Sequence, residues 1–110
     1  MKKSLNLHMT TDEFREQGHK VIDWIADYYE NIEDYPVLSQ VQPGDIRSKF
    51  PNKAPNKGRT HEEILSDMNE IMPGITHWQS PNFYAFFPCA TSGPAILGDL
   101  ISTGLGINGM

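Results

Sequence analysis

Between Pro73 and Met110 only one residue carries a charge at neutral pH, Asp99, whereas residues 11 to 72 are rich in acids and bases. A small soluble domain keeps charges of both signs spread over its surface. A third of a chain almost without them therefore has to be covered by something else. The closing run Gly104-Leu105-Gly106-Ile107-Asn108-Gly109-Met110 is apolar and glycine-rich. It reads as a cut through ordered structure, not as a natural terminus.

The remaining composition sets limits. A chain of 110 residues suffices for one small domain that buries about two thirds of its unfolded surface. The net charge of −5 and nine scattered Lys and Arg residues lack the basic face of a nucleic-acid binder. Met1-Lys2-Lys3 is followed by polar sequence, unlike a secretory leader. No run approaches the roughly 18 apolar residues of a membrane span. The single cysteine, Cys89, rules out an internal disulfide and fits a reducing compartment. The expectation is a cytoplasmic protein with neither nucleic acid nor membrane as partner.

Local patterns predict a mainly α chain with three helices, at about 11–33, 60–72 and 93–106, and a Pro-rich extended arm. In the first, Thr10 and Glu13 form a capping box. Phe14, Gly18, Val21, Ile22, Ile25, Tyr28, Tyr29 and Ile32 then make one apolar stripe. Some 22 residues give a rod about 33 Å long, to be laid on its own domain's core or across another subunit or domain. Residues 1–9 read as a flexible tail. Over 35–59, Pro36, Pro43, Gly44, Pro51, Pro55 and Gly58 disfavour helix. Val37, Leu38, Val41, Ile46 and Phe50 give this stretch anchors and favour a draped arm over a free linker. Thr60 and Glu63 cap a second helix that Pro73-Gly74 ends. Ser92 or Gly93 caps a third, with Pro94 in its first turn; apolar nearly all round, it is expected to be buried.

The densest feature lies between the last two helices. Within 76–90, five aromatic rings (Trp78, Phe83, Tyr84, Phe86 and Phe87) fall inside ten positions. Pro81 and Pro88 bracket a run that is strand-like or extended, aromatic on both faces. On the residues alone it is either an aromatic core or the wall of a ligand pocket. The basic residues offer no catalytic centre. Lys20 sits in the charged face of the first helix with Glu16 four residues before it. Lys49, Lys53 and Lys57 are in the arm. His61-Glu62-Glu63 lacks the second histidine of a zinc motif, His77 reads as structural or pocket-edge, and Cys89 has no activating base.

The order Met72-Pro73-Gly74-Ile75-Thr76-His77-Trp78, Ser80-Pro81, Phe86-Phe87-Pro88 and Ser92-Gly93-Pro94-Ala95 resembles the N-terminal region of group II pyridoxal-phosphate decarboxylases of the aromatic-L-amino-acid, tyrosine and tryptophan type. Glu13-Phe14-Arg15 through Tyr28-Tyr29, Val41-Gln42-Pro43-Gly44 and Ile107-Asn108-Gly109-Met110 fit as well. The resemblance implies that residues 1–110 are the interlocking N-terminal segment of an aminotransferase-like (fold-type I) enzyme, forming a homodimer through these helices. It implies a substrate wall at Trp78, Phe86, Phe87, Pro88 and Cys89, with Asn108 and Met110 approaching the neighbouring subunit's pocket. Pyridoxal phosphate, and every catalytic residue, would belong to a downstream domain, and the substrate would be an aromatic amino acid losing CO2. Many relatives have Tyr where Phe86 stands and a hydroxyl residue where Cys89 stands, so a hydrogen bond to a ring hydroxyl is in question. The other reading is a stand-alone helical module that binds another protein through its apolar faces without catalysis.

Overall fold

The computed structural model describes residues 9–84 and 91–106, and among these it is helical with no strand. Helix α1 spans Thr11–Glu30, α2 His61–Ile71 and α3 Gly93–Leu105, with 3-10 turns at Ile32–Asp34, Arg47–Lys49 and Met72–Gly74. Both capping boxes form: Thr10 Oγ1 accepts from Glu13 N–H at 3.1 Å and Thr60 Oγ1 from Glu63 N–H at 3.2 Å. Each glutamate carboxylate returns to the cap backbone, so two orphan amides are satisfied at each end. Ser92 is the cap of α3, accepting from Ala95 N–H at 3.3 Å. Gly106 ends it with a left-handed φ of 66°, a conformation glycine adopts without a Cβ penalty.

The first helix is shorter than its apolar stripe predicts. Asn31 caps it, its side-chain amide donating to the Asp27 carbonyl at 2.8 Å, and Ile32 continues the stripe from a 3-10 turn. The twenty helical residues make a rod about 30 Å long. Its C-terminal half packs on the chain itself. Its N-terminal half is covered on one side only: Phe14 is 63% exposed, while Gln17 is buried. Beside Gln17 and Lys20, both of which reach Glu62 at 3.3 Å, α1 meets the start of α2.

The arm folds back on its own chain for half its length. Gln40 N–H donates to the Pro73 carbonyl at 3.0 Å, and His77 N–H donates to the Val37 carbonyl at 2.8 Å. Val37, Val41, Ile46 and Phe50 are half-buried, whereas Leu38, expected as an anchor, is exposed. Residues 51–60 are all exposed.

Little of this is a core. Ile32 and Met72 are the buried apolar residues among those described. The radius of gyration, 17.1 Å, exceeds the roughly 13 Å of a compact chain this long. The accessible surface of 9193 Å2 likewise exceeds the about 6,100 Å2 typical of a folded monomer of this mass. Helix α3 departs most from expectation: it is exposed along its length, with only Ile96 half-covered. An apolar groove of about 730 Å3 runs between it and α1, lined by Phe14, Val21, Ile25, Ile96, Leu97 and Leu100 among others.

Gly74 is where the arm and the end of α2 touch. A Cβ there would stand 2.8 Å from Ile46 Cγ1, with Val41 Cγ2 at 3.5 Å. Gly74→Ala should therefore lower stability by about 1–3 kcal/mol through overpacking. Ile46→Ala should cost less in that background than in the wild type. Urea unfolding of the four proteins checks this, and strictly additive midpoints would contradict it.

Candidate functional site

Of the buried polar side chains among the described residues, His77 is the most enclosed, at 2% exposed. Tyr28, from the last turn of α1, brings its hydroxyl to 2.6 Å from His77 Nδ1. The imidazole also packs against the rings of Tyr35, at 4.9 Å between centroids, and Tyr28, at 5.5 Å. Trp24 stacks on Tyr28 from the preceding turn at 6.1 Å. Burial pushes the His77 pKa below its ordinary value of 6.5, opposed by a hydrogen bond to the Met72 backbone. Burial pushes the Tyr28 phenol up, and the nearby Tyr29 and Tyr35 add to that. Both shifts keep the pair neutral, the state in which the phenol donates and Nδ1 accepts.

From this knot the chain runs directly into the aromatic segment. Ser80 N–H donates to the His77 carbonyl at 3.1 Å, and Ser80 is itself buried. Ser80 Oγ accepts from Asn82 N–H and its carbonyl from Phe83 N–H, each at 3.1 Å. That tight turn stacks Phe83 on Trp78, with centroids 5.6 Å apart and planes 26° from parallel. Both rings are half-buried, while Tyr84 is 88% exposed. Gln79 Oε1 accepts from Thr91 N–H at 3.3 Å and ties the segment to the approach of α3. Trp78 is thus held on an anchored turn and is half-buried there. Phe86, Phe87, Pro88 and Cys89 of the expected wall, and Asn108 and Met110 of the expected neighbour contact, lie outside the described residues.

The described lysines all stand at the surface. Lys20 is shared between Glu16 at 3.6 Å and Glu62 at 3.3 Å, a partner its helical spacing does not reveal. Lys49 pairs with Glu70 at 3.5 Å, and Lys53 and Lys57 are exposed on the arm. No described lysine lies in a desolvated pocket of the kind that makes an amine nucleophilic at neutral pH. Among the described residues no group of three His, Cys, Asp or Glu side chains is arranged to hold a metal ion. No described helix is long and apolar enough to cross a membrane.

Residues 43–110 match the pyridoxal-dependent decarboxylase conserved domain. The chain belongs to that family. Among its relatives, a tyrosine decarboxylase of Papaver somniferum is 52% identical over 99 residues, 89% of this chain and 19% of the relative. A phenylacetaldehyde synthase of Arabidopsis thaliana is 49% identical over 102 residues, 92% of this chain and 21% of the relative. The crystal structure of Catharanthus roseus tryptophan decarboxylase in complex with L-tryptophan superposes with a TM-score of 0.83 at 48% identity, covering 89% of this chain and 21% of that one. The chain therefore spans about a fifth of the length of the relatives it matches.

Sequence reasoning ranks Tyr28 only as one member of an apolar stripe. Its hydroxyl is the signal that separates it from Ile25 and Ile32, because a buried tyrosine needs a partner for that group. Neutral His77 also has a pH consequence. Its folded pKa lies below its unfolded one, so its contribution to stability is complete above about pH 6.5 and is lost as pH falls from there. The lowered carboxylates Glu62, Glu63 and Asp67 lose theirs in a separate window, below about pH 4.5. Urea midpoints should fall between pH 7.5 and 5.5 in the wild type and stay flatter in His77→Asn; equal slopes would refute the assignment.

Proposed function

We propose that this chain is the N-terminal portion of a pyridoxal-phosphate-dependent aromatic L-amino-acid decarboxylase, supplying dimer contacts and part of the substrate wall. The observation that carries the reading is Trp78, half-exposed on an anchored turn inside the region shared with relatives named for tyrosine and tryptophan. The apolar groove between α1 and α3 supports a second subunit as its cover. A single cysteine in the chain supports a cytoplasmic location.

In this enzyme the cofactor, held by a catalytic domain outside these residues, supplies the electron sink for loss of the carboxylate. The chain's own task is positional. Trp78 and the aromatic residues after it would press on the substrate ring, fix its orientation and keep water from the reacting centre. The relatives include both decarboxylases and a phenylacetaldehyde synthase, and the reading adopts amine formation as the outcome. A helical module binding a protein partner through the same exposed faces is the competing reading, favoured by the exposed α3.

The test is expression of the whole reading frame that contains this chain, with pyridoxal phosphate, on tyrosine, dopa, tryptophan and phenylalanine. CO2 and the matching amine should appear for at least one. Trp78→Ala should then lower kcat/KM by about 10- to 200-fold with little change in melting temperature. A reading frame that stops at Met110, or release of aldehyde in place of amine, would overturn the reading as stated.

A further inference from the structure

We infer that Tyr28 and His77 are positioning residues for the substrate wall, their hydrogen bond setting where the Trp78 indole stands. The inference rests on the reading of Trp78 as part of that wall. Tyr28 belongs to α1 and His77 to the turn after α2, 49 residues later. Their bond is 2.6 Å long, and it joins helix α1 to the one segment that carries the aromatic cluster. His77 directly precedes Trp78 in the chain. Its carbonyl holds Ser80, and Ser80 holds both ends of the turn that stacks Phe83 on the indole. Its amide is fixed by Val37 and its ring by Tyr35. Residue 77 is thus held at its amide, its carbonyl and its ring, whereas the indole one residue on is half-buried. A rotation about the Tyr28–His77 contact is transmitted to Trp78 through that short stretch of backbone.

A buried histidine satisfied by a tyrosine could serve stability alone. Two features argue for more. The knot stands beside the aromatic segment and away from the α1–α2 contact at Glu62, where the two helices are already joined by Gln17 and Lys20. In addition, Trp24 stacks on Tyr28, and Tyr28 and Tyr35 pack tilted against each other and against the imidazole; packed support behind a contacting group is what accurate placement needs.

A double-mutant cycle in the full-length holoenzyme decides between the roles. Tyr28→Phe keeps the ring stack and deletes only the hydroxyl. It should raise KM for the preferred aromatic substrate about ten-fold, as expected for a sub-ångström misplacement, with a smaller change in kcat. In a Trp78→Ala background the same substitution should change KM less than about two-fold, because a residue that acts through Trp78 has nothing left to position. His77→Asn, whose amide oxygen can accept from Tyr28 near the Nδ1 position, should retain most of the wild-type KM, while His77→Leu should match Tyr28→Phe. If Tyr28→Phe gives no soluble enzyme, the His77→Leu cycle serves with the same expectations. Equal KM effects of Tyr28→Phe with and without Trp78 would overturn positioning and leave the wall intact. Unchanged kinetics of Trp78→Ala alone would remove the wall, and the positioning role with it.

Discussion

His77 is the residue at which three pieces of this chain meet. Helix α1 reaches it through Tyr28, the arm through the Val37 carbonyl and Tyr35, and the end of α2 through the Met72 backbone. Hydrophobic contact does little to join those pieces, since the buried apolar residues among those described are Ile32 and Met72. In a larger core a hydrogen bond of this kind contributes about 1 kcal/mol and is outweighed by the packing around it. Here it fixes the geometry, because the hydrophobic contribution is small and comes from the same corner of the molecule.

So sparse a core suits a segment whose apolar surface is destined for other protein. Capping and turn chemistry give the helices defined lengths, and their apolar faces are then left open. Phe14 and Ile22 of α1 and Leu97, Leu100, Ile101 and Leu105 of α3 are all exposed. Exposed apolar area on that scale is what the proposed dimer contacts would cover. The pyridoxal-dependent decarboxylase family, in which the chain spans about a fifth of its relatives, gives that surface a natural context.

Features encoded within one helical turn are legible in the sequence. The Thr10–Glu13 and Thr60–Glu63 boxes and the Ser92 cap stand where the residues place them, because each needs only partners three positions apart. The apolar stripe overruns the end of α1, since Ile32 keeps the stripe going while Asn31 stops the helix. The return of the arm is not legible: it depends on Val37 meeting His77 and Gln40 meeting Pro73, pairs more than thirty residues apart with no local mark. The composition of α3 calls for a covering surface, but the described residues of this chain do not supply it. In the site, family likeness singles out Trp78, whereas its support by Tyr28 emerges only from the folded geometry.

The lopsided placement of the few buried groups has a kinetic counterpart. Backbone amides open with free energies that follow local contact density, so the chain taken alone is a gradient and not a block. Amides of α3 and of the first turns of α1 lie at the permissive end of it. Those of His77 and Ser80, buried and bonded across the chain, lie at the guarded end. Solvent deuterium would fill this molecule from its open helices inward, and the residues beside Trp78 would be the last to take it up.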